Sequence, residues 1–244
     1  MTHSIQTIPL INLAITFIPA LIVVGILFKW SLNARNALYA IARMLTQLLI
    51  IGYFLVYIFE SNHAGIIMTI LAVIVFASSW IALGTVKDKR RLLYKHALGS
   101  ILLGGGFTLL LVTQYVLALE PWYLPQYMIP LAGMIFANSM NSISLAVERL
   151  NAEIARDVPY EKACKIAYQA SLIPVINSLF AVGLVSLPGM MTGQILSGVS
   201  PLIAIRYQIM VMCMIFGSAG ITTACFLIWV KPLFERKQDI NKPG

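Results

Sequence analysis

Apolar runs cover residues 8–28, 38–59, 66–86, 97–119, 127–147, 172–196 and 207–230. Each is close to the roughly 20 residues that carry an α-helix across a hydrocarbon core about 30 Å thick. Lipid offers no partner to a backbone N–H or C=O, so each run must close its hydrogen bonds within itself. The runs are continuous, not alternating, which excludes a β-barrel. The pattern predicts an all-α integral membrane protein of about seven spans, with residues 1–244 forming one membrane domain. Composition agrees: 59% of residues are hydrophobic and 11% charged, against about 25% charged in a soluble domain. The first run has no basic residue before it and Lys29 after it, and is expected to be a retained helix rather than a cleaved leader.

Charge sets the orientation. The short connections at 29–37, 87–96, 148–171 and 231–244 carry nearly all the basic residues, and Arg43 lies just inside the second run on the same side. Of the 17 basic residues only Arg206 falls on the other side. Basic loops stay in the cytoplasm, so the N-terminus is expected outside and the C-terminus inside. The net charge of +8 is thereby a topology signal, and no nucleic-acid partner is expected. The sixth run holds Ser186-Leu187-Pro188-Gly189-Met190-Met191-Thr192-Gly193. Pro188 cannot donate to the carbonyl four residues back and Gly189 adds freedom, so the helix should break there. A re-entrant hairpin would make Arg206 cytoplasmic but would move Lys231, Arg236, Lys237 and Lys242 outside. A broken, crossing helix is the better solution.

Chemistry is sparse. The chain has no Gly-x-x-x-x-Gly-Lys-Ser/Thr and no His-Glu-x-x-His. Gly104-Gly105-Gly106 lies in an apolar run and reads as close helix packing. Cys164, Cys213 and Cys225 have no zinc or disulfide spacing. No catalytic residue and no metal ligand is assigned. Polar residues within the spans are Asn138, Asn141, Ser142, Asn177 and Ser178. They serve either interhelical hydrogen bonds or a substrate pathway; Asn138 and Asn141, three apart, are expected on one face. The break adds Pro188, Gly189, Met190, Met191 and Gln194 as gate candidates, the methionine pair being packing first and soft-metal ligands second. Arg43 and Gln47 are one turn apart, with Arg43 placed to snorkel. In 148–171, Pro159 fits the first turn of a helix and Glu161 its positive end. A short amphipathic helix there would seat in a partner, or the segment is a solvated connector.

Longer motifs carry a resemblance. Gly183-Leu-Val-Ser-Leu-Pro188-Gly189-Met190-Met191-Thr192-Gly193-Gln194-Ile195-Leu196, followed by Gly198, Pro201 and Ala204-Ile-Arg206-Tyr207-Gln208, resembles the FetB-type ABC transporter permease family, whose proposed activity is iron export. Ile129-Pro130-Leu-Ala-Gly133-Met134 with Asn138, Met140-Asn141 and Glu148-Arg149-Leu150, and Arg43-x-x-x-Gln47-Leu with Gly52-Tyr53, match as well. The resemblance implies a permease without its own ATP site, working with a separate ABC ATP-binding subunit that uses ATP-Mg. It implies two permeases with two ATPases in the inner membrane; Arg156, Asp157, Pro159, Tyr160 and Glu161, in the segment read above as a helix that would seat in a partner, are the candidates for coupling to the ATPase. Arg156-Asp157-Val158-Pro159 stands where the family carries a Gly-Ala-Thr-Pro-like turn. Bare iron finds no site among the span residues, which leaves a metal chelate or another hydrophobic or organic cargo. An ATP-independent channel or secondary carrier is the alternative.

Overall fold

The computed structural model describes residues 8–60 and 63–240, the side chains of 236–240 excepted. Among these, six helices are long and apolar enough to cross a membrane. The chain divides into two compact units, residues 1–62 and 63–244.

The first unit is a helical hairpin. Helix α1 (Leu10–Lys29) and α2 (Ala34–Phe59) are both of spanning length. Within α1 the helix lapses at Thr16. Pro19 has no N–H for the Ile15 carbonyl, which accounts for the lapse. The turn between the helices uses Ser31 at φ +55° and closes with Asn33, whose side chain accepts from the Asn36 amide at 3.3 Å. Ala34 is the single buried residue described in the pair. Water would not tolerate such a hairpin, and lipid does.

The second unit is a helix bundle of α3 (Ala64–Ala82), α4 (Lys87–Val116), α5 (Pro125–Ile154), α6 (Tyr160–Ala181), α7 (Gly189–Leu196) and α8 (Pro201–Ile240). Helix α5 sits at its centre, packed against α3, α4, α6 and α8. Its buried residues recur with helical period: Met128, Leu131, Ala132, Ile135, Ser139, Ser142, Ile143, Ala146, Val147 and Leu150. Small residues bring α4 close. A Cβ on Gly104 would collide with the Thr222 hydroxyl and lie 2.6 Å from its amide nitrogen, and one on Gly105 would lie 2.8 Å from Phe136. The contact falls within Ile101–Gly105, the first of two π-helical stretches of α4; the second is Leu111–Val116. Span hydroxyls bond back into their own helices: Ser79 to the Val75 carbonyl at 2.7 Å, Thr108 to Gly104 at 2.7 Å and Thr113 to Leu109 at 2.9 Å.

The sixth apolar run departs from a simple span. Helix α6 starts at Tyr160, inside the stretch expected as a loop, and stops at Ala181. A tight turn follows, with Val182 bridged to Ser186 and Gly183 at φ +83°. Pro188, extended at φ −62° and ψ 147°, then opens α7. The break expected at Pro188-Gly189 is present, but it occupies 182–188. Two β-branched valines, a positive-φ glycine and a proline all disfavour helix there. Helix α6 runs antiparallel to α8: its Tyr160 hydroxyl donates to the Leu227 carbonyl, and Leu172 and Val175 pack on Ala219. Arg206 and Lys231 lie on one helix, 25 residues and so about 37 Å apart. That exceeds a hydrocarbon core of about 30 Å, and lets both charges reach polar surroundings.

Candidate functional site

Two places in the bundle gather the residues singled out above. The first is a cleft of ≈ 290 Å³ at the end of α6, lined by Asn138, Pro174, Val175, Ser178, Val182, Ser186, Pro188, Met212 and Ile215. Its walls come from α5, α6, the 182–188 turn and α8. Asn138, Ser178 and Pro188 were expected in a pathway and meet here. Asn138 donates from Nδ2 to the Met134 carbonyl at 2.8 Å, and Ser178 donates to the Pro174 carbonyl at 2.9 Å. One Asn138 N–H and the Ser178 hydroxyl are thus occupied within their own helices, which leaves the second Asn138 N–H and both side-chain oxygens for a bound group. Pro174 has no N–H to return to its preceding turn, so another carbonyl on this helix lacks its usual donor.

The other pathway candidates are placed differently. Asn141 is exposed while Ser142, its neighbour, is buried. Asn177 is exposed and does not line the cleft. Gly189, Met190, Met191 and Gln194 belong to α7. The side-chain oxygens of Gln194 and Gln208 are buried without a hydrogen-bond partner. Gln208, 5% exposed, is one helical turn from cleft residue Met212 on α8. Ser139 is instead a packing group, accepting from Thr222 at 3.3 Å across α5 and α8. Pro174, Val182, Ser186 and Met212 escaped the sequence reading, although Pro174, Ser178 and Val182 share an i, i+4 spacing.

The second place is the corner between α5 and α6. The stretch 148–171 consists of the end of α5, a five-residue turn at 155–159 and the first half of α6. Glu153 is 5% exposed and pairs with Arg149 at 2.7 Å and Arg156 at 3.6 Å. Its carbonyl accepts from the amides of Arg156 at 3.0 Å and Val158 at 3.2 Å. Asp157 takes φ +59°, a left-handed position that aspartate tolerates better than most residues. Arg156, Asp157, Pro159 and Glu161 face outward. Tyr160 does not: it is buried against Phe234, ring centroids 6.4 Å apart, with its hydroxyl on the Leu227 carbonyl. Burial pushes its phenol pKa up, so it remains a donor. Lys231 lies 3.5 Å from Glu161 and 3.7 Å from Glu235. Lys89 donates to Asn151 and sits 4.7 Å above the Phe234 ring. The ends of α5, α6 and α8 and the start of α4 are therefore tied at one level.

Arg43 and Gln47 are exposed on α2, and Arg206 is exposed and Tyr207 half-buried on α8. Among the described residues no group of three or more His, Cys, Asp or Glu could hold a metal ion.

Comparison with known proteins now identifies the scaffold. The model of the uncharacterised protein family UPF0014 matches residues 10–160 and 155–234. The chain belongs to the UPF0014 family. A UPF0014 membrane protein of Synechocystis sp. is 35% identical over 237 residues, 88% of this chain and 90% of the relative. The Escherichia coli protein named "Probable iron export permease protein FetB" is 32% identical over 242 residues, 89% of this chain and 90% of the relative. The Arabidopsis thaliana "Protein ALUMINUM SENSITIVE 3" is 33% identical over 232 residues, 86% of this chain and 84% of the relative. No solved structure matches the chain. The UPF0014 matches run through both candidate places, the cleft and the corner alike.

Proposed function

We propose that this UPF0014 protein is the membrane-spanning permease subunit of an ABC transporter that exports iron or another metal as a chelate. ATP is hydrolysed by a separate subunit. One observation carries the reading: the corner at 155–161, whose Arg156, Asp157, Pro159 and Glu161 face outward, joins α5 and α6, the two helices that bring Asn138 and Ser178 to the cleft. A push on the corner acts on both walls at once. Two permeases with two ATP-binding subunits form the working unit, in the cytoplasmic membrane, with the basic end in the cytoplasm and the N-terminus outside.

The cargo follows from the cleft's chemistry. Its lining holds amide and hydroxyl groups, a thioether and apolar carbon, and no titratable side chain. A bare hard cation needs several charged or carbonyl oxygens to replace its water. A chelate brings its own ligands, and asks of the protein only shape and a few hydrogen-bonding groups, which Asn138, Ser178 and Ser186 supply. Transport and ATPase activity of the purified permease with its ATP-binding subunit, across free metals and metal chelates, test this. Stimulation by chelates and not by matched free metal supports it. Transport in vesicles lacking any ATPase would establish an ATP-independent carrier instead. Replacing Pro159 or Glu161 is expected to leave the fold intact and uncouple hydrolysis from transport.

A further inference from the structure

The N-terminal end of α4 carries more positive charge than the fold uses. Five of its first nine residues are basic: Lys87, Lys89, Arg90, Arg91 and Lys95. Two have work within the protein. Lys89 donates to Asn151. Arg90 stacks 3.8 Å over the Trp80 ring and donates to the Trp80 carbonyl, its Nε at 3.0 Å. Lys87, Arg91 and Lys95 are exposed, four residues apart, and none has an ion-pair partner among the described residues. Like charges at this spacing repel. They also sit at the positive end of the helix dipole, where cations are least welcome. An anion bound along this stripe relieves both penalties.

The same helix continues into an apolar groove. A cavity of ≈ 570 Å³ opens between α3, α4 and α5, with Met68, Ala72, Leu102, Gly106 and Leu110 among its walls. A Cβ placed on Gly106 meets no atom within 4 Å, so the groove is open there, unlike the packed Gly104 two residues before. Leu102 is two turns from Lys95 on one side of α4, and so about 10 Å along the axis. At the head of this path stand Trp80 and Tyr94, edge to face at 5.7 Å, residues that favour the headgroup level of a bilayer. At its far end the Gln114 amide donates to the Thr113 hydroxyl at 3.3 Å. A cationic stripe at the membrane boundary, continued by an apolar groove at membrane depth, has the shape and charge of one amphiphile.

We propose that α4 holds one anionic phospholipid, its phosphate at Lys87, Arg91 and Lys95 and one acyl chain in the groove between α3 and α4. The site is independent of the cleft and of what the protein transports. The test uses the full-length protein, delipidated in detergent, with lipid binding followed by native mass spectrometry. Phosphatidylglycerol is expected to bind one per chain and at least about tenfold tighter than phosphatidylcholine with the same acyl chains, since each basic residue near a membrane surface favours anionic lipid by a few fold. The double variant Arg91→Gln, Lys95→Gln should lose that preference. The variant Gly106→Leu, filling open space, should weaken both lipids while keeping the protein monodisperse; should it not, Ala72→Leu fills the opposite wall. Equal affinity for the two lipids, or an unchanged preference in the double variant, overturns the proposal. Competition by inorganic phosphate as strong as by the lipid would overturn the groove half. Competition by polyglutamate of that strength would assign the stripe to an acidic protein surface and overturn the lipid assignment.

Discussion

Gly104 and Gly106 are two residues apart in one Gly-rich stretch, and the structure gives them opposite fates. A side chain at Gly104 must displace the backbone of Thr222, 2.6 Å from where its Cβ would be. Gly104→Ala is therefore expected to cost about 1–3 kcal/mol, and Gly106→Ala, with open space, to leave the thermal midpoint in detergent unchanged or slightly raised. Glu153 gives a second contrast. It reads in the sequence as one charge of a solvated connector, and it is buried between two arginines. Its spacing, with Arg149 four before and Arg156 three after, was the available signal. Glu153→Ala removes both pairs and should lower stability by about 1–3 kcal/mol. Arg149→Ala should cost less, because Arg149 is 43% exposed and water screens it. Thermal unfolding of the four variants in one detergent checks the order within each pair. Asn138 and Asn141 show where face arguments blur: three residues turn a helix by about 300°, enough to set one at the cleft and the other outward.

Among the elements, the long helices were legible because nothing but lipid accommodates runs this apolar. The end of α6 was not. Hydropathy treats Val182, Leu184, Val185 and Leu187 as good membrane residues, and they are; what they do not do is propagate a helix beside Gly183 and Pro188. The break was visible as a proline and a glycine, but its width was hidden because the turn is as apolar as the helix. Gly183, at φ +83°, is the residue on which that turn depends. Gly183→Ala is expected to cost about 1–2 kcal/mol from the left-handed backbone alone, with no steric clash, since nothing lies within 4 Å of its Cβ. Gly189→Ala, at the start of α7 with equally open surroundings, should be nearly neutral. A drop in the thermal midpoint for the first and not the second identifies the backbone conformation as the cause. The start of α6 was half legible: Pro159 marked a helix start, but the helix it opens is the full α6 and no separate short one.

For the molecule as a whole, orientation is read from the basic residues. Lys89, Asn151, Tyr160 and Phe234, from four helix ends, meet at the end that the Lys and Arg pattern would place in the cytoplasm. A cysteine introduced at Asp157 is expected to react with a membrane-impermeant maleimide in inside-out vesicles and not in intact cells; the reverse would invert the orientation. The central claim is that the corner moves the cleft. Its most direct test is a Ser178→Cys variant, with Cys164, Cys213 and Cys225 changed to serine, reconstituted with the ATP-binding subunit. The reaction rate of Cys at the cleft with a small thiol reagent is then measured with and without ATP. The account predicts a rate that changes several-fold with ATP, and a change lost when Glu161→Arg is added at the corner. A rate indifferent to ATP, or a nucleotide effect that survives the corner substitution, would contradict it.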